Sequence, residues 1–321
     1  MGLANLRNFR GDTFDPLDLG HGTTIRGRNP DELIAMGWRE GHMERLFREW
    51  DEGGYGSHVI LTEHTEPKTP DNFLGNNLLH DRKASRAVLA LRLFKDGDIG
   101  SGVMWLSRRV AFDLGNLGGQ AISDPRTRAM QTFSADYTLD ASELALVRNL
   151  YDVLLHLPDP PTDAPVNLNL ALQSFSDMYD RHSFRPDTRL VDAITAAEAL
   201  LGTEVEITFR LAFRVAAILG SDHEERVAIF EQMKGYYDTR SRVVHGSMLS
   251  PKQRRLLQDQ QALGDMVRWL LVAFIHLTVS SDHPFDRDFF EKNLDISLLD
   301  DSRRSRLRVA MGLGERDEPT R

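Results

Sequence analysis

A proline-rich stretch, LPDPPTDAP at 157–165, divides this sequence into two parts of different character. It holds four prolines in nine residues. Proline lacks a backbone N–H and fixes φ, so it can neither continue a helix nor pair within a central strand. The stretch therefore predicts a linker. A chain of 321 residues is also long enough for about two domains, at roughly 150 residues each.

The residues before the linker mix two kinds of pattern. Two segments are typical of strands, HVILTEHT at 58–65 and SGVMWLSRRVAF at 101–112. Helical spacing predicts three helices, within 29–50, 71–100 and 140–157. For the last of these we expect an N-cap at Asp140 or Ser142 and one apolar face made of Leu146, Leu150, Val153 and Leu157. A mixed α/β domain of unknown role is predicted over residues 1–160.

After the linker the strand patterns almost disappear. Helical spacing and cap residues predict five helices in succession, at 166–184, 186–202, 203–220, 222–246 and 251–279. Their connections are short, which favours antiparallel neighbours in a bundle. The prediction is an all-α bundle over 161–285 and a partly helical tail over 286–321, so that the whole chain has an α+β fold. In the tail, SRRSRLR at 302–308 is interpreted as a solvated helix face.

Two of these helices have well-marked ends. The helix at 186–202 begins with Pro186 and stops at Gly202, with Leu190, Ile194, Ala197 and Leu201 on one face. The next helix is predicted to start at Thr203, because Glu206 follows three residues later in the pattern of a capping box.

The composition limits what the chain can do. The formal charge is −9, which argues against a broad nucleic-acid-coating surface and leaves room for a local basic pocket. The absence of cysteine excludes disulfides, thiolate zinc sites and cysteine nucleophiles. The most apolar run, WLLVAFIHLTV at 269–279, has about half the length that spans a bilayer. We expect a buried helix there, no membrane partner, a cytoplasmic protein, and all four tryptophans in cores.

The end of the helix at 222–246 carries two basic residues and a histidine, in YYDTRSRVVHG. Basic residues followed by glycine are ordinary at a helix C-terminus. Arg240 and His245 are about 140° apart around a helix and about 7.5 Å apart along it, yet their long side chains can converge at the terminus. Arg242 and His245 share a face, Tyr236 can stack beneath Arg240, and Asp238 can pair with Arg242.

This set of side chains suits the cleavage of RNA. A 2′-OH can attack its own 3′-phosphate if a base accepts its proton and an acid protonates the leaving 5′-oxygen, and histidine can do either near neutral pH. Arginine stabilises the negative charge that develops on the phosphorus centre. We expect no metal ion and no cofactor, since the sequence offers no HExxH motif and no tight carboxylate cluster.

Three segments occur in order on consecutive predicted helices: LVDAITAAEALLG with Glu198, TFRLAFRVAAILG, and YDTRSRVVHG with its Arg-x4-His spacing. Together they resemble the HEPN superfamily, in particular its ApeA-like domains. The resemblance implies a metal-independent ribonuclease that acts as a toxin or an abortive-infection effector in antiviral defence. It also implies a homodimer through the helical domain, an RNA substrate, and an antitoxin or a phage-derived trigger as a partner.

By the same resemblance, Arg240 and His245 would be the catalytic pair and Glu198 would orient one of them. Ser241 follows the arginine where many family members have Asn, Asp or His. Arg242, Asp238 and Tyr236 would be auxiliary or substrate-binding residues.

Several alternatives stay open. The helical domain can instead be a non-catalytic module that dimerises or binds a nucleotide or a partner protein. The activity can also belong to the N-terminal domain. Arg210 and Arg214 lie one turn apart, either on a solvated charged face or along an RNA groove.

Overall fold

The structure is a computed structural model. It describes residues 2–7, 9–10, 16–27, 55–63, 73–97, 99–106, 120–122, 137–157, 165–180, 185–202, 205–280 and 282–314. The chain forms two compact units, Met1–His156 and Leu157–Arg321. The first contains antiparallel sheet and helices and the second is helical, so the fold is α+β.

A six-stranded sheet forms the first unit, with every neighbouring pair antiparallel and the order β3-β4-β5-β1-β6-β7. A separate parallel pair joins β2 to β8. The strands are β1 Gly2–Arg7, β2 Phe9–Arg10, β3 Leu17–Gly20, β4 Thr23–Gly27, β5 Tyr55–Thr62, β6 Gly100–Leu106, β7 Gln120–Ile122 and β8 Tyr137–Thr138.

The strand closest to the start of the sequence lies inside this sheet. Leu3 of β1 is opposite Leu61 of β5 on one side and Trp105 of β6 on the other. The predicted strands at 58–65 and 101–112 correspond to β5 and β6, with ends shifted by several residues. The sequence patterns did not indicate β1 to β4. The helix predicted at 29–50 and the linker residues 158–164 lie outside the described residues.

Two helices accompany the sheet, α1 Phe73–Phe94 and α2 Leu144–His156. A 3-10 turn at Ala141–Glu143 precedes α2, and the backbone N–H of Asp140 donates to the Glu143 carboxylate at 2.8 Å. Asp140 is therefore the cap residue, and Ser142 lies within the turn.

The apolar face predicted for α2 is largely wrong: of its four residues, Leu157 alone is buried, and it follows the last residue of the helix. Leu146 is 57% exposed, and the buried residues are Val147, Tyr151 and Leu154. Because α2 has apolar residues on most of its sides, spacing alone could not select the face. One polar contact marks the observed face: the Tyr151 and Thr23 hydroxyls share a 2.7 Å hydrogen bond, and burial raises the pKa of Tyr151 to about 12.

The described residues of the second unit form helices and the turns between them, and no strand. Its elements are α3 Leu168–Asp180, α4 Pro186–Leu201, α5 Ile207–Leu219, α6 His223–Val244, α7 Pro251–Gln258, α8 Gln261–Val279, a π-helical turn Phe289–Asn293, α9 Leu294–Leu299 and α10 Asp301–Ala310. Helix α8 contacts α3, α4 and α5, and eleven of its residues are buried. It therefore forms the centre of this unit.

The prediction for α4 is confirmed. Pro186 is its first residue, where the missing N–H costs nothing. Leu190, Ile194, Ala197 and Leu201 are all buried. Gly202 follows as the C-cap, and a Cβ there would lie 2.4 Å from the Glu198 carbonyl oxygen.

Two predicted helix boundaries are wrong. Helix α5 starts at Ile207, and its N-cap is Glu206 with φ 53. Thr203, the predicted cap residue, lies outside the described residues. The segment 251–279 forms two helices, because Asp259 is extended. Two side-chain hydrogen bonds hold the break in place. The Tyr236 hydroxyl donates to the Asp259 carbonyl at 3.1 Å, and the Gln260 amide donates to the Pro186 carbonyl at 2.6 Å.

Helix α8 is long and apolar enough to cross a membrane by length and composition, and no other helix in the described ranges is. Within the helical unit, 61% of its apolar window is buried, as is usual for a core helix of a soluble protein. Trp269 is 46% exposed, so its predicted core position is wrong. Trp269 precedes the buried Leu270 and Leu271, and its side chain is on a different side of α8 from theirs. Trp38, Trp50 and the side chain of Trp105 lie outside the described residues.

The tail packs against the bundle through α9 and α10, both of which contact α5. The basic cluster at 302–308 is only partly solvated, contrary to the prediction. Arg304 and Arg308 donate to carbonyls of Ala217, Ile218 and Gly220 at the end of α5. These are the acceptors that an α-helix leaves without internal partners.

Candidate functional site

The C-terminal end of α6 is fixed by backbone hydrogen bonds. Gly246 has φ +64, a left-handed conformation that favours glycine. The Ser247 N–H donates to the Arg242 carbonyl at 2.8 Å, and the Gly246 N–H donates to the Val243 carbonyl at 3.1 Å. This pair of bonds is a Schellman motif. The predicted stop at Gly246 is confirmed, and His245 is the C-cap residue.

Arg240 lies between α6 and α4. Its Nη2 atom is 3.5 Å from Oε2 of Glu198, and its guanidinium carbon is 5.9 Å from the centre of the Tyr237 ring. The Arg240 side chain is 25% exposed and that of Glu198 is 23% exposed. A contact of 3.5 Å is at the upper limit for a hydrogen bond, so Glu198 holds Arg240 loosely and leaves part of it open to solvent.

Tyr237 joins this pair, which we name the Glu198–Arg240–Tyr237 group. Burial raises the pKa of Tyr237, and the charge of Glu198 and a hydrogen bond to it raise the pKa further. Tyr237 is therefore protonated at neutral pH, and its hydroxyl donates to the Glu198 carboxylate.

Tyr236 takes a different position from the one predicted. It is buried in the stripe that includes Met233, and its hydroxyl donates to the Asp259 carbonyl. It does not stack beneath Arg240, because Tyr237 occupies that place. Tyr236 is thus a core residue that joins α6 to the break between α7 and α8.

The predicted ion pair between Asp238 and Arg242 is also absent. Both residues are exposed, and Arg242 donates through Nη1 to the Met248 carbonyl at 3.2 Å. Within the part of the chain that the structure describes, neither side chain has an ion pair with an acidic or basic partner. Arg242 is therefore directed to the turn that follows α6.

His245 is exposed, and Ser241, one turn before it, is half-buried. Among the described residues, no hydrogen bond or ion pair involves the His245 imidazole, and none joins it to Arg240. Within one chain the two predicted catalytic residues therefore occupy the same end of α6 without direct contact.

Helix α7 adds basic residues to this end of the molecule. It contacts α6, and a Cβ at Gly235 would lie 3.1 Å from Leu256. Its side chains Lys252, Arg254 and Arg255 are exposed. The sequence analysis missed this contribution, although one signal was available: no Asp or Glu occurs between Asp238 and Asp259, while five Lys and Arg do.

Arg214 and Arg210 have structural partners. Arg214 is 5% exposed on its side chain, and Asp295 accepts from its Nε at 2.6 Å and from its Nη2 at 3.1 Å. Its Nη1 donates to the Leu201 and Gly202 carbonyls. Arg210 lies 3.7 Å from Asp295 and 3.8 Å from Glu206. Both earlier interpretations of Arg214, a solvated face and an RNA groove, are therefore wrong.

Within the described ranges, no group of three or more His, Asp or Glu side chains is arranged to hold a metal ion. Comparison of the chain with protein-family models, with curated proteins and with solved structures gives no match.

Proposed function

We propose that this chain is a metal-independent endoribonuclease of the HEPN type and that its site lies at the C-terminal end of α6. One observation carries the proposal: an arginine and an exposed histidine stand at a fixed helix end, within a surface segment without acidic residues. Residues 239–258 contain Arg240, Arg242, Lys252, Arg254 and Arg255 together with His245, in a chain of net charge −9. Such a local concentration of positive charge favours the binding of phosphates.

The proposed reaction cleaves the P–O5′ bond of RNA. A base removes the proton of the 2′-OH, the 2′-oxygen bonds to the adjacent phosphorus, and the leaving 5′-oxygen takes a proton from an acid. The products have 2′,3′-cyclic phosphate and 5′-OH ends. His245 acts as the general acid or base, the role that histidine fills more often than any other side chain.

In this mechanism Arg240 binds the scissile phosphate and stabilises the charge of the transition state. The Glu198–Arg240–Tyr237 group supports this role, because a single long contact to Glu198 orients the guanidinium and leaves other N–H donors for a phosphate. Arg242 is the auxiliary phosphate contact.

One chain supplies one histidine to this site, whereas the reaction needs an acid and a base. A homodimer through the helical domain would bring two copies of His245 to one phosphate, and it is part of the proposal. The proposal also includes a role for the protein as a toxin or as an abortive-infection effector in the cytoplasm. An antitoxin or a phage-derived trigger would regulate it.

The test is the incubation of purified protein with RNA in excess EDTA. We expect cleavage to persist, to leave 2′,3′-cyclic phosphate ends, and to be lost in His245→Ala and Arg240→Ala. His223→Ala is the matched control, because His223 is exposed at the other end of the same helix. Cleavage that stops in EDTA, or that survives in both variants, would contradict the proposal.

A non-catalytic interaction module is the second candidate, and a patch of exposed apolar side chains favours it. Val205 just before α5, Phe209 on α5 and Val227 on α6 are exposed. Phe209 packs edge-on against Phe230 of α6 at 5.6 Å. Under this hypothesis wild-type protein leaves RNA intact, and Phe209→Ser changes the oligomeric state measured by analytical ultracentrifugation.

A further inference from the structure

A cavity of about 750 Å³ lies in the helical unit among the end of α8, the π-helical turn, α9 and α10. Its volume is in the range of roughly 300–1,000 Å³ that is typical of small-molecule sites. Neither Arg240 nor His245 lines it, so it is separate from the proposed ribonuclease site.

Aromatic rings form one wall of this cavity. The rings of His283 and Phe285 are stacked at 6.3 Å with an angle of 14° between their planes, and Phe289 lies 4.7 Å from Phe285. His283 Nδ1 accepts from the Phe285 backbone N–H at 3.2 Å, which fixes the orientation of its ring. Phe289 opens the π-helical turn, and such turns are frequent at functional sites. A rigid wall of this kind suits a planar ring.

Two arginines of α10 line the same cavity. Arg303 and Arg306 are exposed, and among the described residues neither guanidinium donates a hydrogen bond. The carboxylate of Asp300 lies near enough to Arg303 for the two charges to interact. Their neighbours Arg304 and Arg308 differ, because those two donate to the end of α5. Helix α10 thus has two arginines that bond to α5 and two that line the cavity.

The other residues that line the cavity indicate what else a ligand would contact. Ile296 and Val309 line the cavity and are exposed, so apolar surface is uncovered there. Asp282, Asn293 and Ser297 offer polar atoms beside it. A ligand that fits has a planar ring with polar edges and carries an anionic group.

We propose that this cavity binds a nucleoside monophosphate, with its base against the wall of His283, Phe285 and Phe289 and its phosphate on Arg303 and Arg306. Arginine recognises phosphate through parallel N–H donors. Asp282 and Asn293 accept hydrogen bonds from the N–H groups of the base. The proposal does not depend on RNA cleavage.

Isothermal titration calorimetry on the full chain tests the site. The four ribonucleoside 5′-monophosphates, the matching nucleosides and inorganic phosphate are titrated separately. At least one monophosphate should bind with saturation, and its nucleoside and phosphate alone should each bind about tenfold more weakly or worse, because each lacks one half of the contacts.

Variants locate the binding. Arg303→Gln combined with Arg306→Gln should weaken the affinity by about tenfold or more, while Arg287→Gln, an exposed arginine outside the cavity lining, should leave it unchanged. Phe289→Leu keeps an apolar side chain and should weaken binding through the loss of its ring. No saturable binding of any monophosphate, equal affinity in the double arginine variant, or phosphate alone binding as well as the nucleotide would each overturn the proposal.

Discussion

Two arginines of the helical unit are each held by a carboxylate from a distant part of the chain, but in different ways. Asp295 binds Arg214 through two N–H groups, and the Leu201 and Gly202 carbonyls accept from a third. Glu198 makes a single contact of 3.5 Å with Arg240.

The two arginines differ in how many of their N–H donors remain without a partner. Arg214 is almost completely buried and its donors are engaged, so it joins α5 to α4 and α9 and can bind nothing else. Arg240 is 25% exposed. Its Nε is buried without a hydrogen-bond partner, and among the described residues the one contact of its two terminal nitrogens is that of Nη2 with Glu198. A charged side chain that is oriented and yet incompletely bound is the arrangement that phosphate recognition needs.

The largest effect expected from this comparison is on stability at Arg214. Arg214→Ala should lower the free energy of unfolding by about 3–5 kcal/mol, because the change leaves Asp295 without its main partner. Arg210→Ala removes a longer and more exposed contact to the same aspartate and should cost about 1 kcal/mol or less. Urea denaturation measures both, and equal losses would remove the distinction between the two sites.

The next effect is on the proposed cleavage of RNA, through Arg240. Arg240→Ala should reduce the rate of RNA cleavage by about 10²–10³-fold, as the loss of a donor to the transition state usually does. Its free energy of unfolding should change by about 1 kcal/mol or less, since the ion pair is part-exposed. Cleavage rates and urea denaturation are measured on the same preparation. A loss of stability as large as that of Arg214→Ala would show that Arg240 is structural.

A smaller effect is expected for the residues that orient Arg240. Glu198→Gln and Tyr237→Phe each remove one interaction in the group, and each should reduce kcat by about two- to tenfold, the value of one hydrogen bond. Arg240→Lys, which keeps the charge but not the planar fork, should be more impaired than either. Full activity in both Glu198→Gln and Tyr237→Phe would mean that Arg240 needs no orientation.

The smallest effect is on the dependence of stability on pH. The pKa of Tyr237 is raised above its ordinary value of 10.0 in the folded protein, so the unfolded chain loses this proton at lower pH than the folded one. The resulting stabilisation is present below pH 10 and is lost as pH rises through the folded pKa. Wild type should therefore lose stability relative to Tyr237→Phe as the pH rises above 10, and a constant difference in unfolding free energy between the two would contradict the raised pKa of Tyr237.

The sequence predicted correctly those helix ends and faces that depend on residues close together in the chain. The ends and the buried face of α4 follow from Pro186, Gly202 and the spacing of its leucines and alanines. The end of α6 follows from Gly246. The face of α2 and the break at Asp259 could not be predicted, because each depends on a hydroxyl group from elsewhere in the chain: Thr23 in one case and Tyr236 in the other.

The same limit applies to the site. Arg214 differs from Arg240 through its partner Asp295, which is 81 residues from Arg214 in the chain. Nothing near Arg214 indicates that partner. Which of Tyr236 and Tyr237 contacts Arg240 depends on which side of α6 is buried. Only three residues of α6 are buried, so the spacing of its apolar residues does not indicate that side.

The position of β1 affects how the first unit assembles during synthesis. Both strands that flank β1 come much later in the sequence, since β5 begins at Tyr55 and β6 at Gly100. A nascent chain that exposes Gly2–Arg7 must therefore wait until residues as far as Leu106 have left the ribosome before both edges of that strand are paired. Non-local pairings of this kind fold slowly, and an unpaired edge strand can associate with another chain. An edge of β1 therefore stays open to such association until β6 has been made.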